Sequence, residues 1–503
     1  MCGLVGIKIK TAPGPAGGTR GLSASGRTVE QQNAATGVTN MDSAGELAVS
    51  LLLRLQHRGQ DGAGLTVVTP DGHFESLRGL GLIQNALKDW NSLPVGSVAV
   101  GHTRYATTGT GGVAEIQPFV RGVPKVALAH NGNIVNTEEI IEKFQLKVET
   151  ASDLDVLQQT YLKHSQESFE KAVQVIFDNF NGSYATVGME ENGTLFAFRD
   201  PFGIRPLFLA ESKDVFAVAS ETCALTPLEP LKVEELQPGE WVRVSSEGKL
   251  TRGILKSKLN LENQKRFCMF EVVYFSSPQS EIKESQSIYR LRFQLGQQLG
   301  KEIIESFSED CGPKDYFDYV VPVPETSRTA ATAVAETLGI PFREYLVKNA
   351  YVPRTFILSR QEQRIKALNA KLSLIGPEIK GQRILLVDDS VVRGNTSRLM
   401  ALRLREAGAR SVTLASTCPP IRYGCFYGID FPDAEELIAS GRDVPQIAAA
   451  LGVDGLHYIS LQGLKIALGT GELCDAWLTG DYPTAGPSFN AFLKSRREQR
   501  AGA

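Results

Sequence analysis

A cysteine stands directly behind the initiator methionine, in the opening letters MCGLVGIKIK. If Met1 is removed, the Cys2 thiol lies beside a free α-amino group, whose pKa is near ~7.7–8.0. A thiol with an adjacent base is an activated nucleophile. This pair alone does not distinguish a nucleophile from a small residue that happens to be cysteine, so other residues must decide.

Four polar motifs in the first half carry groups that a thiol amidase needs. They are LQHRGQDGAG with Arg58, GHTRYATTG with Arg104 and Tyr105, AHNGNI with Asn131 and Gly132, and SDLDVL with Asp153. Arg104 and Asp153 are chemically suited to hold the carboxylate and ammonium groups of an amino acid such as glutamine. The Asn131 side chain and the Gly132 N–H can donate to a tetrahedral oxyanion. Taken singly, Asn-Gly is also a common hairpin turn, and His-Arg-Gly also fits a helix end.

The second half contains the stretch ILLVDDSVVRGNTS at 384–397. Its apolar letters predict a buried strand, and Asp388 and Asp389 follow at the carboxyl end, where ligands bind in open α/β sheets. The next loop, with the hydroxyls of Thr396 and Ser397, would hold a phosphate monoester at a helix N-terminus. The two aspartates could bind ribose hydroxyls or a hydrated Mg²⁺. An Asp-Asp pair alone would equally fit a helix N-cap beside a solvated carboxylate.

This stretch resembles the phosphoribosyl-pyrophosphate (PRPP) loop of type I phosphoribosyltransferases. Two further segments, VVPVPETSRTA (320–330) and VKNAYVPRTFI (347–357), resemble that family's pyrophosphate turn and its mobile catalytic loop. The resemblance implies PRPP binding by Lys348, Arg354, Asp388, Asp389, Ser390, Arg393, Gly394, Asn395, Thr396 and Ser397. It also implies Mg²⁺ binding by Ser327, Asp388 and Asp389.

The motifs of the first half resemble the N-terminal-nucleophile glutaminase domain of class II amidotransferases. The resemblance implies catalysis by Cys2, Asn131 and Gly132 and glutamine binding by Arg58, Arg104, Tyr105 and Asp153. The two halves together, with FCMFEVVYF (267–275) and FYGID (426–430), resemble the amidophosphoribosyltransferase family. That family transfers ammonia from glutamine to PRPP, a pentosyl transfer that commits PRPP to purine synthesis. We expect glutamine and PRPP as substrates and purine nucleotides as feedback inhibitors.

The elements that must position these residues divide the chain into two domains. Short β-rich segments between turn signals predict an α+β domain over 2–255, with the Gly- and Ser-rich insertion 11–40 as a mobile surface loop. Strands that alternate with helices predict an α/β domain with a parallel sheet over 265–465. The resemblance implies a four-layer αββα N-terminal-nucleophile hydrolase fold for the first domain and a type I phosphoribosyltransferase fold for the second. We expect 466–503 to pack between the domains and end in a polar tail.

Composition excludes several other classes of protein. The 503 residues carry a net charge of −3 with mixed signs, so we expect neither a nucleic acid nor a membrane surface as partner. The seven scattered cysteines indicate a reducing compartment, and no apolar run reaches the roughly 20 residues of a spanning helix. A cytoplasmic enzyme is expected. The family resemblance adds a homo-oligomer, either a tetramer or a dimer.

A metal cluster is a separate question, because many members of this family hold a structural [4Fe–4S] cluster with four cysteines. This chain offers only Cys268, Cys425 and Cys474, and Trp477 stands where the fourth cysteine is expected. Four thiolates are the usual requirement. We therefore expect no bound cluster, with Trp477 filling its volume.

Three segments depart from the family pattern. FSSPQS (275–280) stands where FARPDS is usual, LNAKLS (368–373) replaces VRRKLN, and Asn395 replaces a threonine. Positive charge is lost in the first two. Two alternatives therefore stay open: a regulator that senses PRPP or purines, and an amidotransferase that acts on another phosphoribosyl acceptor.

Overall fold

The computed structural model describes residues 1–10, 43–105, 112–150, 152–262, 264–283, 286–349, 372–429 and 434–484. The insertion predicted at 11–40, the loop residue Arg354 and the tail after 484 lie outside the described residues. Within them, no helix is both long and apolar enough to cross a bilayer.

The first half forms two antiparallel sheets. Its strands are β1 (Gly3–Ile9), β2 (Gly62–Val68), β3 (Phe74–Leu80), β4 (Val98–Arg104), β5 (Phe119–Arg121), β6 (Val126–Ile134), β7 (Gly182–Glu190), β8 (Leu195–Arg199), β9 (Phe208–Glu211), β10 (Val215–Ala219), β11 (Lys232–Glu235), β12 (Glu240–Val244) and β13 (Leu250–Ile254). One sheet has seven strands in the order β11-β9-β10-β1-β4-β2-β3. The other has six, in the order β13-β12-β8-β7-β6-β5. β1 is thus central in the first sheet and β6 lies next to the edge of the second.

Helices cover the outer faces of these two sheets. They are α1 (Ala44–Arg54), α2 (Ile83–Ala86), α3 (Thr137–Phe144), α4 (Asp153–Ser165), α5 (Phe169–Asn179) and α6 (Thr222–Leu225). The inner faces pack on each other through residues such as Leu4 and Val187. Leu51 of α1 packs on the first sheet, and Phe177 of α5 packs on the second. The four layers αββα predicted from the sequence are confirmed.

The second half is built around a parallel sheet. The strands of the second half are β14 (Phe267–Cys268), β15 (Glu281–Lys283), β16 (Gln286–Ser287), β17 (Tyr319–Pro322), β18 (Leu346–Lys348), β19 (Leu372–Leu374), β20 (Arg383–Asp388), β21 (Ser411–Ser416), β22 (Gly455–Tyr458) and β23 (Leu473–Cys474). Four of them form the central sheet in the order β17-β20-β21-β22, and each neighbouring pair in it is parallel. The predicted parallel sheet is therefore confirmed.

Helices lie on both faces of the parallel sheet. They are α7 (Ile288–Glu305), α8 (Arg328–Leu338), α9 (Gly376–Ile379), α10 (Asn395–Glu406), α11 (Val444–Leu451), α12 (Leu461–Leu468) and α13 (Ala476–Thr479). Side chains of β20 alternate between two cores, with Leu385 facing the core of α7 and α8 and Leu386 facing that of α10 and α11. Because β20 is covered on both faces, its sequence reads as a continuous apolar run.

The two halves share one hydrophobic core. Val135, Phe202 and Ile204 of the first half belong to the same cluster as Phe267 and Phe270 of the second. Short parallel strands β14 and β23 close this region, with Cys268 in register with Cys474. The chain after α12 thus returns to the contact between the halves.

Candidate active sites

The start of β1 lies beside β6, and this brings Cys2 to Asn131. The Cys2 backbone N–H donates to Asn131 Oδ1 at 3.0 Å, and the Cys2 thiol lies 3.9 Å from the Tyr105 carbonyl oxygen. The Asn131 Nδ2 group is buried and has no hydrogen-bond partner among the described residues. An unsatisfied buried donor is costly, so it indicates a ligand atom that it would bind.

Gly132 follows Asn131 in β6 and adopts a φ of +153° opposite Tyr184 of β7. A Cβ at this position would collide with the Ser183 carbonyl oxygen, which explains why the strand carries glycine here. The Cys2 nitrogen thus contacts Asn131, the residue before Gly132 in β6, and the oxyanion roles of Asn131 and Gly132 stay predictions.

Arg58 is fully buried, and the contacts of its guanidinium differ from those of a solvent-facing substrate clamp. Its Nε donates to the Cys2 carbonyl oxygen at 3.0 Å. Its two terminal nitrogens donate to Glu221 at 2.5 Å and to Glu271 at 2.9 and 3.0 Å. Because its terminal nitrogens pair with both carboxylates, the Arg58 Nε is held against the backbone of Cys2. Direct glutamine binding by Arg58 stays a prediction.

Arg104 and Asp153 are the two charged residues that the sequence analysis assigns to the ends of glutamine. Arg104 ends β4, is buried and pairs with Glu115. Asp153 begins α4, where its Oδ2 accepts from the Ile134 N–H at 3.1 Å and lies 3.1 Å from His130 Nε2. Both groups are charged and sit near strand ends that lead to Cys2, which suits them to hold the two ends of an amino acid.

His130 and Gln117 extend this network, and sequence reasoning missed both. Gln117 Nε2 lies 3.2 Å from His130 Nδ1, so the imidazole is held from both sides. Burial lowers the pKa of His130, but the Asp153 carboxylate raises it more, and the net pKa is raised. Burial raises the pKa of Asp153, but His130 lowers it more, and the net pKa is lowered. The two groups therefore stabilise each other's charged forms, and in sequence the pair is signalled only by the histidine before Asn131.

The second site lies at the carboxyl end of β20, where Asp388 and Asp389 are adjacent and buried. The Asp389 N–H donates to Asp388 Oδ1 at 2.9 Å, and the Ser390 hydroxyl donates to Asp389 Oδ1 at 2.7 Å. Burial raises the pKa of Asp388 well above its usual value, and the charge of Asp389 adds to this. Burial likewise raises the pKa of Asp389 to about 6. Two adjacent buried carboxylates are a donor set that fits a hard divalent cation such as Mg²⁺.

The loop after these aspartates turns sharply into α10. Gly394 has a φ of +74°, and a Cβ there would lie 2.5 Å from Ile438 Cδ1, so both backbone and space require glycine. Asn395, Thr396 and Ser397 form the first turn of α10, whose N–H groups are available to an anion. Arg393 Nε donates to Glu436 at 2.8 Å. This local geometry suits a phosphate-binding loop, and PRPP binding by these residues stays a prediction.

The remaining residues predicted to bind PRPP or Mg²⁺ belong to other segments than this loop. Ser327 is buried before α8, and its hydroxyl donates to the Val323 carbonyl oxygen. Lys348 ends β18 and is half-buried. Arg354 lies outside the described residues. Metal binding by Ser327 and PRPP binding by Lys348 and Arg354 stay predictions.

The three cysteines of the possible cluster site are all buried. Burial raises the pKa of Cys268 to about 11 and that of Cys474 well above its usual value, which opposes thiolates. Trp477 is buried beside them, with its ring 5.0 Å from that of Phe270 in an edge-to-face contact. Within the described part of the chain, no group of three or more His, Cys, Asp or Glu side chains is arranged to hold a metal. These residues do not fit a four-thiolate cluster.

Three buried charged residues between the sites carry no role in the sequence analysis. Glu221 accepts from the Ser277 N–H and the Ser280 hydroxyl at 2.8 and 2.7 Å, and Glu271 accepts from Ser276 at 3.1 Å. Arg292 of α7 donates to the Ser276 carbonyl oxygen at 2.8 Å. Burial lowers the pKa of Arg292 to about 10, while Asp389 and Glu221 counteract this. The segment FSSPQS, which departs from the family pattern, thus contacts both the carboxylates behind Cys2 and Arg292 of α7.

Comparison with known proteins matches both halves. Residues 102–227 match the family model of a glutamine amidotransferase domain, and residues 292–423 match that of a phosphoribosyl transferase domain. An amidophosphoribosyltransferase of Methanocaldococcus jannaschii is 37% identical over 86% of this chain and 93% of its own length. The chain belongs to the amidophosphoribosyltransferase family. The relative in Haemophilus influenzae is 36% identical over 92% of this chain and 97% of its own.

Solved structures agree with this assignment. The glutamine PRPP amidotransferase of B. subtilis, complexed with ADP and GMP, has a TM-score of 0.78 at 32% identity and covers 96% of this chain and 97% of its own. A second structure, an allosteric regulatory enzyme of purine biosynthesis, has a TM-score of 0.79 at 33% identity, with 96% of each chain covered. The predicted family, the amidophosphoribosyltransferase reaction and its place in purine biosynthesis are confirmed.

Proposed function

We propose that Cys2 is the nucleophile of glutamine hydrolysis in this amidophosphoribosyltransferase. The observation that carries the proposal is the contact of the Cys2 nitrogen with Asn131 Oδ1 at 3.0 Å, beside an unpartnered Asn131 Nδ2. Removal of Met1 turns this nitrogen into the amine that takes the thiol proton. The thiolate then attacks the carboxamide carbon, ammonia leaves, and water releases glutamate from the thioester.

The tetrahedral oxyanion is stabilised by Asn131 Nδ2 and the Gly132 N–H. Arg104 binds the α-carboxylate of glutamine and Asp153 binds its ammonium group, in each case by a charge-assisted hydrogen bond. Arg58 acts as a positioning residue, since its contact with the Cys2 carbonyl oxygen fixes the backbone of the nucleophile. The roles of Arg104 and Asp153 follow from their charges and from their location near the nucleophile.

At the second site, the N-terminal turn of α10 and the residues Ser390 and Thr396 bind the 5-phosphate of PRPP. Asp388 and Asp389 would hold Mg²⁺, which supplies charge neutralisation for the pyrophosphate when it is bound. Ammonia crosses the shared core between the halves and forms a bond to C1 of the ribose as the C1–O bond to pyrophosphate breaks. Purine nucleotides act as feedback inhibitors, as the ADP and GMP bound in the B. subtilis structure suggest for this chain.

The Cys2→Ala variant tests the nucleophile. We expect glutamine-dependent synthesis to disappear while synthesis from high ammonia continues, because the second site does not use the thiol. Glutamate and pyrophosphate are measured in the same reaction, and equal amounts are expected for the native protein only when PRPP is present. Near-native glutamine hydrolysis by Cys2→Ala would refute the assignment, and glutamate without matching pyrophosphate would favour another phosphoribosyl acceptor.

A further inference from the structure

A short segment of the second half lies against the strand that carries the predicted oxyanion donors. We call residues Cys425 to Ile429 the 425–429 segment. Asn133 Nδ2 donates to the Phe426 carbonyl oxygen at 2.8 Å, and the Ser183 hydroxyl donates to the Tyr427 carbonyl oxygen at 2.9 Å. A terminal nitrogen of Arg205 also donates to the Tyr427 carbonyl oxygen. Three side chains of the first half thus hold two consecutive carbonyl groups of the second.

These side chains flank the Gly132 peptide. Asn133 is the next residue in β6, and Ser183 of β7 is its partner across the sheet. All of the groups involved are buried, so their hydrogen bonds are not exchanged for bonds to water. Any displacement of the 425–429 segment would therefore act on the strand residues beside the oxyanion donors.

Gly428 makes the closest approach. Its φ is +90°, and a Cβ built on it would lie 2.8 Å from the Gly132 carbonyl oxygen and 2.9 Å from the Gly132 carbonyl carbon. A side chain at this position would press directly on the peptide group of Gly132. Glycine is thus needed so that the two backbones can meet.

We propose that the 425–429 segment is a positioning element for the oxyanion donors Asn131 and Gly132, so that the glutaminase site is complete only with the second domain against it. The inference rests on the proposed role of those two donors. It assigns a function to Gly428, Asn133 and Ser183, none of which would touch glutamine. The species that these donors would bind is the tetrahedral oxyanion formed when the thiolate attacks the amide.

Glu436 and Ile438, which come after 430–433 in the sequence, contact the predicted phosphate loop. The Ile438 N–H donates to the Val392 carbonyl oxygen at 3.0 Å, and Glu436 pairs with Arg393 at 2.8 Å. Ile438 also occupies the space beside Gly394. The described residues on the two sides of 430–433 therefore contact one candidate site each.

The Ser183→Ala variant tests the proposal with the smallest structural change. We expect kcat for glutamine hydrolysis to fall about 3- to 10-fold, because small displacements of catalytic groups slow the reaction. The KM for glutamine and the rate of ammonia-dependent synthesis should stay unchanged. Ser257→Ala is the matched control, since the buried Ser257 hydroxyl donates to a backbone carbonyl oxygen, that of Phe177, at 2.5 Å away from the site. Equal kcat in Ser183→Ala and the native protein would overturn the proposal.

Gly428→Ala is expected to lower the same kcat about 10-fold or more. Its control for backbone strain is Gly248→Ala, since Gly248 has a φ of +81° but its added Cβ would meet nothing nearer than 3.8 Å. If Gly428→Ala does not fold, Ser183→Ala decides alone. Asn131→Ala separates the two hypotheses: if it retains hydrolysis, the oxyanion assignment itself fails, whereas loss in Asn131→Ala with native kcat in Ser183→Ala refutes only the positioning role.

Discussion

The two active sites are both buried, yet their charges are arranged in opposite ways. Behind Cys2, the guanidinium of Arg58 is matched by two carboxylates, and the charge of Arg58 holds the pKa of Glu221 far below its usual value despite burial. At the end of β20, Asp388 and Asp389 lie side by side, and their pKa values are raised. The charges of the proposed glutaminase site are thus balanced by its own residues, whereas the proposed PRPP site would gain its balancing charge from a bound cation.

This difference teaches that burial alone does not determine the state of an ionisable group. Glu221 and Asp388 are almost equally enclosed, but the sign of the nearest neighbour shifts their pKa values in opposite directions. A preformed ion-pair network favours a fixed geometry around the nucleophile. Adjacent like charges instead store an unfavourable interaction that a cation relieves on binding.

The largest effect is expected from removing both charges of the PRPP site. Asp388→Asn with Asp389→Asn should abolish synthesis from glutamine and from ammonia, because each route needs bound PRPP and its cation, while basal glutamine hydrolysis should persist. Calorimetric titration with PRPP and Mg²⁺ measures the lost binding. Native affinity in the double variant would mean that the aspartates do not form the site.

Glu271→Gln should cause the largest loss of stability. It leaves the buried charge of Arg205 without its carboxylate and Arg58 with Glu221 alone, and breaking a buried pair costs about 3–5 kcal/mol. Urea denaturation measures the free energy of unfolding. The control is Glu234→Gln, whose partners Lys232 and Arg252 are partly exposed, so a change of only about 0–1 kcal/mol is expected. Equal losses in the two variants would contradict the contrast drawn between buried and surface pairs.

Asp389→Asn should act in the opposite direction on stability. Removing one of two adjacent buried carboxylates relieves their repulsion and desolvation, so with EDTA present we expect no loss or a gain of about 1–3 kcal/mol. The same denaturation experiment applies. A loss comparable to that of Glu271→Gln would show that Asp389 is structurally paired and not waiting for a ligand.

Asp153→Asn should produce the smallest change in stability, together with a shift in the pKa of His130. With its carboxylate partner removed and burial retained, that pKa should move from above 6.5 to below it, as followed by NMR of the imidazole. In the native protein, the raised pKa of His130 gives stability that is lost as pH rises through it, and the lowered pKa of Asp153 gives stability that is lost as pH falls through it. The stability difference between native and variant should therefore shrink above pH 6.5, and a constant difference would contradict the ion pair.

Local pattern was enough to predict an α+β and a parallel α/β domain, and the family resemblance implied the four layers αββα and the candidate site residues. Gly132 and Gly394 are constrained by their own backbone, and Asp388 ends its strand. Residues next to them in sequence are therefore enough to indicate these positions. Glu221 and Glu271 do not, because a single glutamate in sequence is usually a solvated residue, and only the folded chain brings both to Arg58. The same holds for Gly428, whose role depends on a backbone that is distant in sequence.

Met1 has a consequence for how an active molecule is made. It is only 2% exposed and lies in the core shared by the two halves, where burial lowers the pKa of its amine to about 6. A peptidase that trims the chain cannot reach a residue enclosed in this way. Trimming therefore competes in time with docking of the second domain, which is synthesised last. A copy whose domains close before trimming would therefore keep Met1 and lack the free amine of Cys2.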